Sequence, residues 1–159
     1  MALVIRRAVA NDASVIHQFI SELAAYEREP DAVEATPESL RAQLESASCP
    51  FECLLAELEG DAVGFALFFQ SYSTWRGRPG LYLEDLYVPP DKRGQGVGKA
   101  LLRALANIAV ERGYGRMEWA VLDWNQSAID FYRSLGAAAL DEWTVYRLTG
   151  PALEALARD

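Results

Sequence analysis

One segment constrains the fold of this chain more than any other: residues 81–102, with the sequence LYLEDLYVPPDKRGQGVGKALL. Its apolar and β-branched run from 81 to 88 predicts a strand, which the two prolines that follow must end. After a loop with three glycines on alternate positions, a helix is predicted from Gly96 to Arg112, where apolar residues recur at helical spacing. Gly113 ends that helix. Together with a strand predicted over 117–122, this order indicates one βαβ crossover.

The rest of the chain supplies further strands and helices around this crossover. Strands are predicted over residues 3–7, 51–58, 62–72, 137–140 and 143–148. Helices are predicted to follow caps at Asn11 or Asp12, at Thr36 with Pro37 in the first turn, and at Asn125. The expected fold is α/β (α+β): a mixed, mostly antiparallel sheet with helices on both faces, in a single domain spanning 1–159.

Composition narrows the class of protein. No apolar run approaches the roughly 20 residues that cross a bilayer, and the N-terminus has no cleavage signal, so we expect a cytoplasmic protein without a membrane partner. Cys49, Cys53 and a single histidine are too few for a disulfide framework or a zinc site, and no metal is expected.

Charge points to an anionic ligand at one place on an acidic protein. The formal net charge of −8 disfavours nucleic acid as a partner and favours cationic small molecules. Positive residues nevertheless cluster in and around the glycine loop: Lys92, Arg93, Lys99 and Arg103.

The glycine loop, Arg93-Gly-Gln-Gly-Val-Gly98, can present backbone N–H groups to phosphate oxygens at the start of a helix. A dinucleotide fingerprint would need a third glycine where this chain has Lys99, and a P-loop would need Ser or Thr where it has Ala100. Both therefore fail at a defining position. The remaining pattern, R-x-x-G-x-G after a strand, is that of the pyrophosphate loop of GNAT acetyltransferases.

Several segments together resemble the spermidine/spermine (diamine) N-acetyltransferase branch of the GNAT superfamily over nearly the full length. They are ELAAYE at 22–27, Trp75 with Gly77, LYLEDLYV at 81–88, RGQGVG at 93–98, WNQSAIDFYRSLGA at 124–137 and the segment that begins at Trp143. The loop alone indicates the superfamily, whereas LYLED with WN-x-x-x-x-x-FY is more specific. The resemblance implies the GNAT fold, acetyl-CoA as co-substrate and a homodimer.

The resemblance also implies which residues bind the cofactor. Backbone groups of Leu86, Tyr87 and Val88 would pair with the pantetheine arm, as an added strand would. Further cofactor-binding residues would be Arg93, Gly94, Gln95, Gly96, Val97, Gly98, Lys99, Asn125, Ser127 and Tyr132. Two of these have alternatives: Arg93 is a phosphate contact or a solvated loop charge, and Asn125 is a cofactor contact or a helix cap.

Two catalytic roles are expected from the chemistry of amine acetylation. An alkyl ammonium has a pKa near 10.4, so at pH 7 only about one molecule in 10³ is the nucleophilic amine, and a proton acceptor helps. By resemblance Glu84 takes that proton, directly or through water, with Asp85 as the structural or charge-steering alternate. By resemblance, Tyr132 matches the tyrosine that protonates the departing thiolate, and the alternative is a core aromatic beside Phe131. Because adjacent strand residues face opposite ways, only one of Glu84 and Asp85 is expected in a given cleft.

Tyr26, Glu27, Trp75, Glu84 and Asp85 are the expected substrate-binding residues, and Trp75 would form a cation–π wall for an ammonium. The leading hypothesis is acetylation of a small cationic amine, such as a polyamine, a diamine or a lysine-like amino acid. Alternatives on the same fold are a protein, peptide or aminoglycoside N-acetyltransferase. An alternative of another class is a non-catalytic acyl-CoA-binding regulatory domain.

Overall fold

The computed structural model describes residues 2–158, which divide into two compact units, one ending at Ala120 and the other beginning at Val121. The strands are β1 (Leu3–Arg7), β2 (Glu52–Leu58), β3 (Asp61–Ser73), β4 (Arg78–Tyr87) and β5 (Met117–Glu118). The helices are α1 (Ala13–Tyr26), α2 (Pro37–Glu45), α3 (Val97–Glu111), α4 (Gln126–Ser134) and α5 (Gly150–Arg158). Within the described residues, no helix is long and apolar enough to cross a membrane. The single domain over 1–159 stays a prediction.

The first unit is built on one five-stranded sheet in the order β1-β2-β3-β4-β5. The first three pairings are antiparallel, and β4 pairs with β5 in parallel through the crossover helix α3. The mixed, mostly antiparallel sheet and its crossover are thus confirmed. Strand β5 is shorter than predicted, because only Leu81↔Met117 and Tyr82↔Glu118 pair across it.

Helices cover both faces of this sheet. Ile16 and Phe19 of α1 and Leu40 of α2 pack with Phe65 of β3 and Tyr87 of β4 in one buried cluster. On the opposite face lies α3, whose fully or nearly fully buried residues are Val97, Leu101, Leu102, Leu105 and Ala109. Burying apolar side chains on both faces explains the almost continuous apolar run of β3 from Val63 to Phe68.

Local signals in the sequence account for several boundaries. Glu59 and Gly60, between β2 and β3, both have positive φ angles (53° and 85°), which is the conformation of a two-residue hairpin turn. The hydroxyl of Thr36 accepts from the Ser39 amide at 3.0 Å and caps α2 as predicted. Asp12 occupies the N-cap position of α1, but its side chain makes no capping hydrogen bond to the helix. Its carboxylate accepts instead from the Arg6 guanidinium, at 2.8 and 2.9 Å.

The second unit contains α4 and α5. The predicted cap at Asn125 is confirmed, since its side chain accepts from the Ala128 amide. The pair of strands predicted over 137–140 and 143–148 is wrong: both segments are non-strand, and Tyr146 is 92% exposed. An alternation of apolar residues forms a strand only when a neighbouring strand takes its backbone hydrogen bonds. Helix α5 was not predicted, although Pro151 in its first turn was a helix-start signal.

Candidate active site

A register shift in β4 places two carboxylates side by side. Leu67 of β3 pairs with Asp85, but the next residue, Phe68, pairs with Leu83, so that Glu84 is an extra residue in β4. Such a β-bulge interrupts the strict alternation of side chains. The bulge removes the strict alternation behind the expectation that only one of Glu84 and Asp85 faces a given cleft, and their roles in that cleft stay a prediction.

Asp85 lies on the face of the sheet that α1 covers, since it pairs with Leu67 of the α1-side cluster. Burial, together with the negative charges of Glu84 and Glu27, raises the pKa of the Asp85 carboxyl to about 6. Burial and the charge of Glu84 also raise the pKa of Glu27, which follows the last residue of α1. Three predicted acceptor-side carboxylates thus share one electrostatic environment.

These carboxylates suit a cationic ligand. Burial and neighbouring negative charges raise the pKa of both Asp85 and Glu27, and neither carboxylate forms a salt bridge with a cation among residues 2–158. An ammonium group bound between them would relieve this repulsion by direct Coulomb attraction. A carboxyl with a pKa near 6 is mostly ionised at pH 7 and is a stronger proton acceptor than an ordinary aspartate.

The glycine loop lies between β4 and α3, as predicted. Two of its residues have a backbone conformation that favours glycine. Gly94 and Gly96 both have φ angles of 80°, and a Cβ at either position would meet nothing within 4 Å. Gly96 is also the N-cap of α3. Within residues 2–158, the amides of Gly94, Gln95 and Gly96 donate to no backbone carbonyl. Open space, exposed amides and a helix N-terminus together fit a pyrophosphate group.

The remaining loop residues fall into two kinds. Gly94, Gln95, Gly96 and Lys99 are exposed and accessible to a ligand, and Gly98 is half-buried. Val97, in contrast, is buried at 2% exposure and packs towards the sheet, so only its backbone can contact a ligand. Lys99 sits in the first turn of α3 as an exposed point charge.

The edge of β4 beyond Tyr82 is open on the side of β5. Parallel pairing stops at Tyr82↔Glu118, and no other strand of residues 2–120 takes over there. Leu86 and Tyr87 pair with Ala66 and Phe65 of β3 on the other side. An extended ligand can join such an edge by backbone hydrogen bonds, and the pairing of residues 86–88 with a cofactor stays a prediction. The carbonyl of Val88 already accepts from Arg93 Nε at 2.9 Å.

Arg93 is directed at protein groups. Its guanidinium carbon lies 4.9 Å from the ring centroid of Tyr26 and 5.9 Å from that of Tyr87. Tyr87 in turn donates from its hydroxyl to Glu22 Oε1 of α1 at 2.9 Å. Glu22 and Gly64, which lies under the start of α3, were not among the predicted site residues. The ELAAYE segment contains Glu22, but a hydrogen bond across 65 residues leaves no local signal.

Trp75 lies apart from the carboxylates within one chain. It occupies the turn between β3 and β4 and is 84% exposed. Because Asp85 is seven residues beyond the first residue of β4, Trp75 and Asp85 are roughly 20 Å apart along the hairpin, at about 3.3 Å per residue. Within a single chain, Trp75 and Asp85 therefore do not lie in one site. The role of Trp75 in the acceptor site stays a prediction.

The predicted residues of the second unit are arranged around the start and middle of α4. Asn125 caps the helix, and Ser127 bonds Asn125 Oδ1 at 3.4 Å. Tyr132 is half-buried, with its ring centroid 5.7 Å from that of Phe131. The helix cap thus explains Asn125 structurally, and its contact with a cofactor stays a prediction, as do the roles of Ser127 and Tyr132.

The chain is similar to known proteins in both sequence and structure. The family model described as the acetyltransferase (GNAT) family matches residues 16–137. A thialysine N-epsilon-acetyltransferase from Bos taurus is 40% identical over 166 residues, covering 98% of this chain and 97% of the relative. A spermidine/spermine N(1)-acetyltransferase-like protein from Homo sapiens is 37% identical over 153 residues, covering 90% of this chain and 22% of that longer protein.

Among solved structures, an integron cassette protein from the mobile metagenome of V. cholerae superposes with a TM-score of 0.83 at 28% identity. The match covers 100% of this chain and 99% of the other. The predicted fold and the resemblance to the diamine-type branch are both confirmed by these relatives.

Proposed function

Because this chain belongs to the acetyltransferase (GNAT) family, we propose that it transfers the acetyl group of acetyl-CoA to a primary amine of a small cationic acceptor. The observation that carries the proposal is the arrangement on β4. The strand that carries Glu84 and the half-buried Asp85 is followed by the open loop at Gly94 and Gly96. A cation-binding group and an anion-binding loop thus flank one strand.

The loop amides, with the first turn of α3, would hold the pyrophosphate of acetyl-CoA, and the open edge of β4 would align its extended arm. When bound, this co-substrate supplies an activated acetyl thioester. The protein's part is to orient the amine and to move protons.

The carboxylates of Glu27, Glu84 and Asp85 would attract the ammonium and lower the cost of bringing it into the cleft. Removing its proton at pH 7 costs on the order of 4–5 kcal/mol, because its pKa lies near 10.4. Glu84, at the bulge, or Asp85 accepts that proton directly or through one water. The neutral phenol of Tyr132 holds, at Oη, the proton that the departing thiolate requires.

Lysine-like amino acids are the favoured acceptor class, and polyamines and diamines are the next most favoured. The bovine relative, which spans nearly the whole chain at 40% identity, is named for thialysine, an amino acid with a side-chain amine. The acidic surface, with a net charge of −8, favours any of these cations over neutral amines.

A homodimer is also proposed. Large apolar side chains of the second unit are exposed in the single chain, with Val145 at 87% and Tyr146 at 92%. Such exposure is typical of surfaces that a partner covers. The expected cytoplasmic location stays a prediction.

The direct test is thiol release from acetyl-CoA by the purified chain across a panel of acceptors: thialysine, lysine, ornithine, spermidine, 1,3-diaminopropane, an aminoglycoside and a lysine peptide. We expect turnover with the small cationic amines, fastest for the side-chain amines of amino acids. Faster acetylation of the peptide or the aminoglycoside would contradict the proposed substrate class. Tight binding of acetyl-CoA without turnover on any acceptor would indicate a regulatory binding domain instead.

A further inference from the structure

Arg93 begins the glycine loop, but its side chain contacts residues outside that loop. Its Nε donates to the Val88 carbonyl at 2.9 Å, which holds the guanidinium against the end of β4. The same guanidinium lies over the ring of Tyr26 at 4.9 Å and near that of Tyr87 at 5.9 Å. A guanidinium stacks well on aromatic faces because it is planar and weakly hydrated.

These contacts connect two parts of the proposed site. Tyr26 is the last residue of α1 and directly precedes Glu27, whose carboxyl responds to the charge of Glu84. Tyr87 is buried, and its hydroxyl donates to Glu22, which lies one turn before Tyr26 in α1. Arg93 therefore joins the cofactor loop to the C-terminal turn of α1.

We propose that Arg93 is a positioning residue that couples the pyrophosphate loop to the amine-binding end of α1 through Tyr26. When the loop is ordered by its ligand, the stacked guanidinium fixes Tyr26 and hence the adjacent Glu27. Amine and co-substrate then bind cooperatively, and by thermodynamic linkage each raises the affinity for the other by the same factor. This inference rests on the proposed function and adds to it a role in substrate coupling.

The test separates stacking from charge and from phosphate binding. Arg93→Lys keeps the charge but loses the plane and Nε, Tyr26→Leu removes the ring, and Tyr26→Phe keeps it. We expect Arg93→Lys and Tyr26→Leu each to raise the amine KM about 10-fold, the equivalent of one well-placed cation–π contact. Tyr26→Phe should raise the amine KM less than Tyr26→Leu does, because the ring face is retained.

The pair should also be non-additive. Combining Arg93→Lys with Tyr26→Leu should raise the amine KM little beyond either single change, because both remove the same contact. Arg103→Gln is the matched control: it removes an exposed cation of α3 outside the expected site and should leave the amine KM unchanged. Melting temperatures verify that all variants fold.

Two results would overturn the coupling. One is an Arg93→Lys variant that weakens only acetyl-CoA binding, and the other is strict additivity of the two changes. Hydrogen exchange at residues 24–27 gives a readout independent of turnover: CoA should slow it in the unmodified protein and not in Arg93→Lys. If no amine is acetylated, the proposed function fails, and this exchange experiment still decides whether the loop and α1 are coupled.

Discussion

Gly64 of β3 lies directly under Val97, the first residue of α3: a Cβ at position 64 would stand 3.1 Å from Val97 Cγ1 and 3.0 Å from the Tyr87 carbonyl oxygen. The helix that would receive the pyrophosphate is thus seated on the sheet at a point where no side chain fits. This close contact between the sheet and α3 determines how far the glycine loop lies from β4.

Gly64→Ala is expected to destabilise the protein by about 1–3 kcal/mol, as overpacking of a close-packed interior does. It should also weaken acetyl-CoA binding, because α3 must move away from the sheet. Denaturant unfolding and calorimetric titration measure the two effects.

Gly98→Ala is the contrasting change. Its Cβ would meet only Val88 Cγ2, at 3.9 Å, and alanine in a helix is favoured over glycine by up to about 1 kcal/mol. We expect unchanged or higher stability but weaker acetyl-CoA binding, because the methyl group occupies the ligand's side of the loop. Loss of stability in Gly98→Ala would contradict the open space above this position.

Asp85→Asn is expected to stabilise the fold at neutral pH. A carboxyl whose pKa rises from 3.8 to about 6 on folding is penalised when ionised, by on the order of 2–3 kcal/mol at 1.36 kcal/mol per unit. The penalty is absent below pH 4, grows between pH 4 and 6, and is complete above that range. Unfolding curves at pH 4 and pH 7.5 should therefore show a gain for Asp85→Asn only at the higher pH.

The pH dependence of turnover should identify the proton acceptor. If Asp85 accepts the proton, kcat/KM falls below pH about 6, and Glu84→Gln moves this limb to lower pH, because the Glu84 charge raises the pKa of Asp85. Asp85→Asn should abolish the limb. A limb that persists in Asp85→Asn and disappears in Glu84→Gln would assign the role to Glu84.

Tyr132→Phe is expected to lower kcat by about 10²-fold or more, the usual contribution of a positioned acid, with acetyl-CoA affinity nearly unchanged. The change keeps the ring that packs beside Phe131, so the fold is preserved. Phe131→Leu is the matched control and should reduce stability rather than the chemical step. Normal turnover by Tyr132→Phe would exclude the phenol as proton donor.

Much of the fold could be predicted because its signals are local. Prolines after β4, alternate glycines and the apolar spacing of α3 all lie within the crossover they describe, and the crossover is confirmed. The failed strands at 137–148 show the limit of this reasoning, since a strand depends on a partner that its own residues do not specify. The bulge at Glu84 and the stacking of Arg93 on Tyr26 depend on distant residues in the same way.

The extra residue in β4 also divides that strand into two phases. Before Glu84, odd-numbered residues such as Leu83 are buried on the face of the sheet that α3 covers. After Glu84, odd-numbered residues such as Tyr87 are buried on the face that α1 covers. Glu84 belongs to neither core and is exposed, so its side chain can change freely without disturbing either. Glu84 also allows the two phases to meet: without it, Leu83 and Asp85 would be adjacent on a regularly alternating strand, each still opposite its present partner, Phe68 or Leu67.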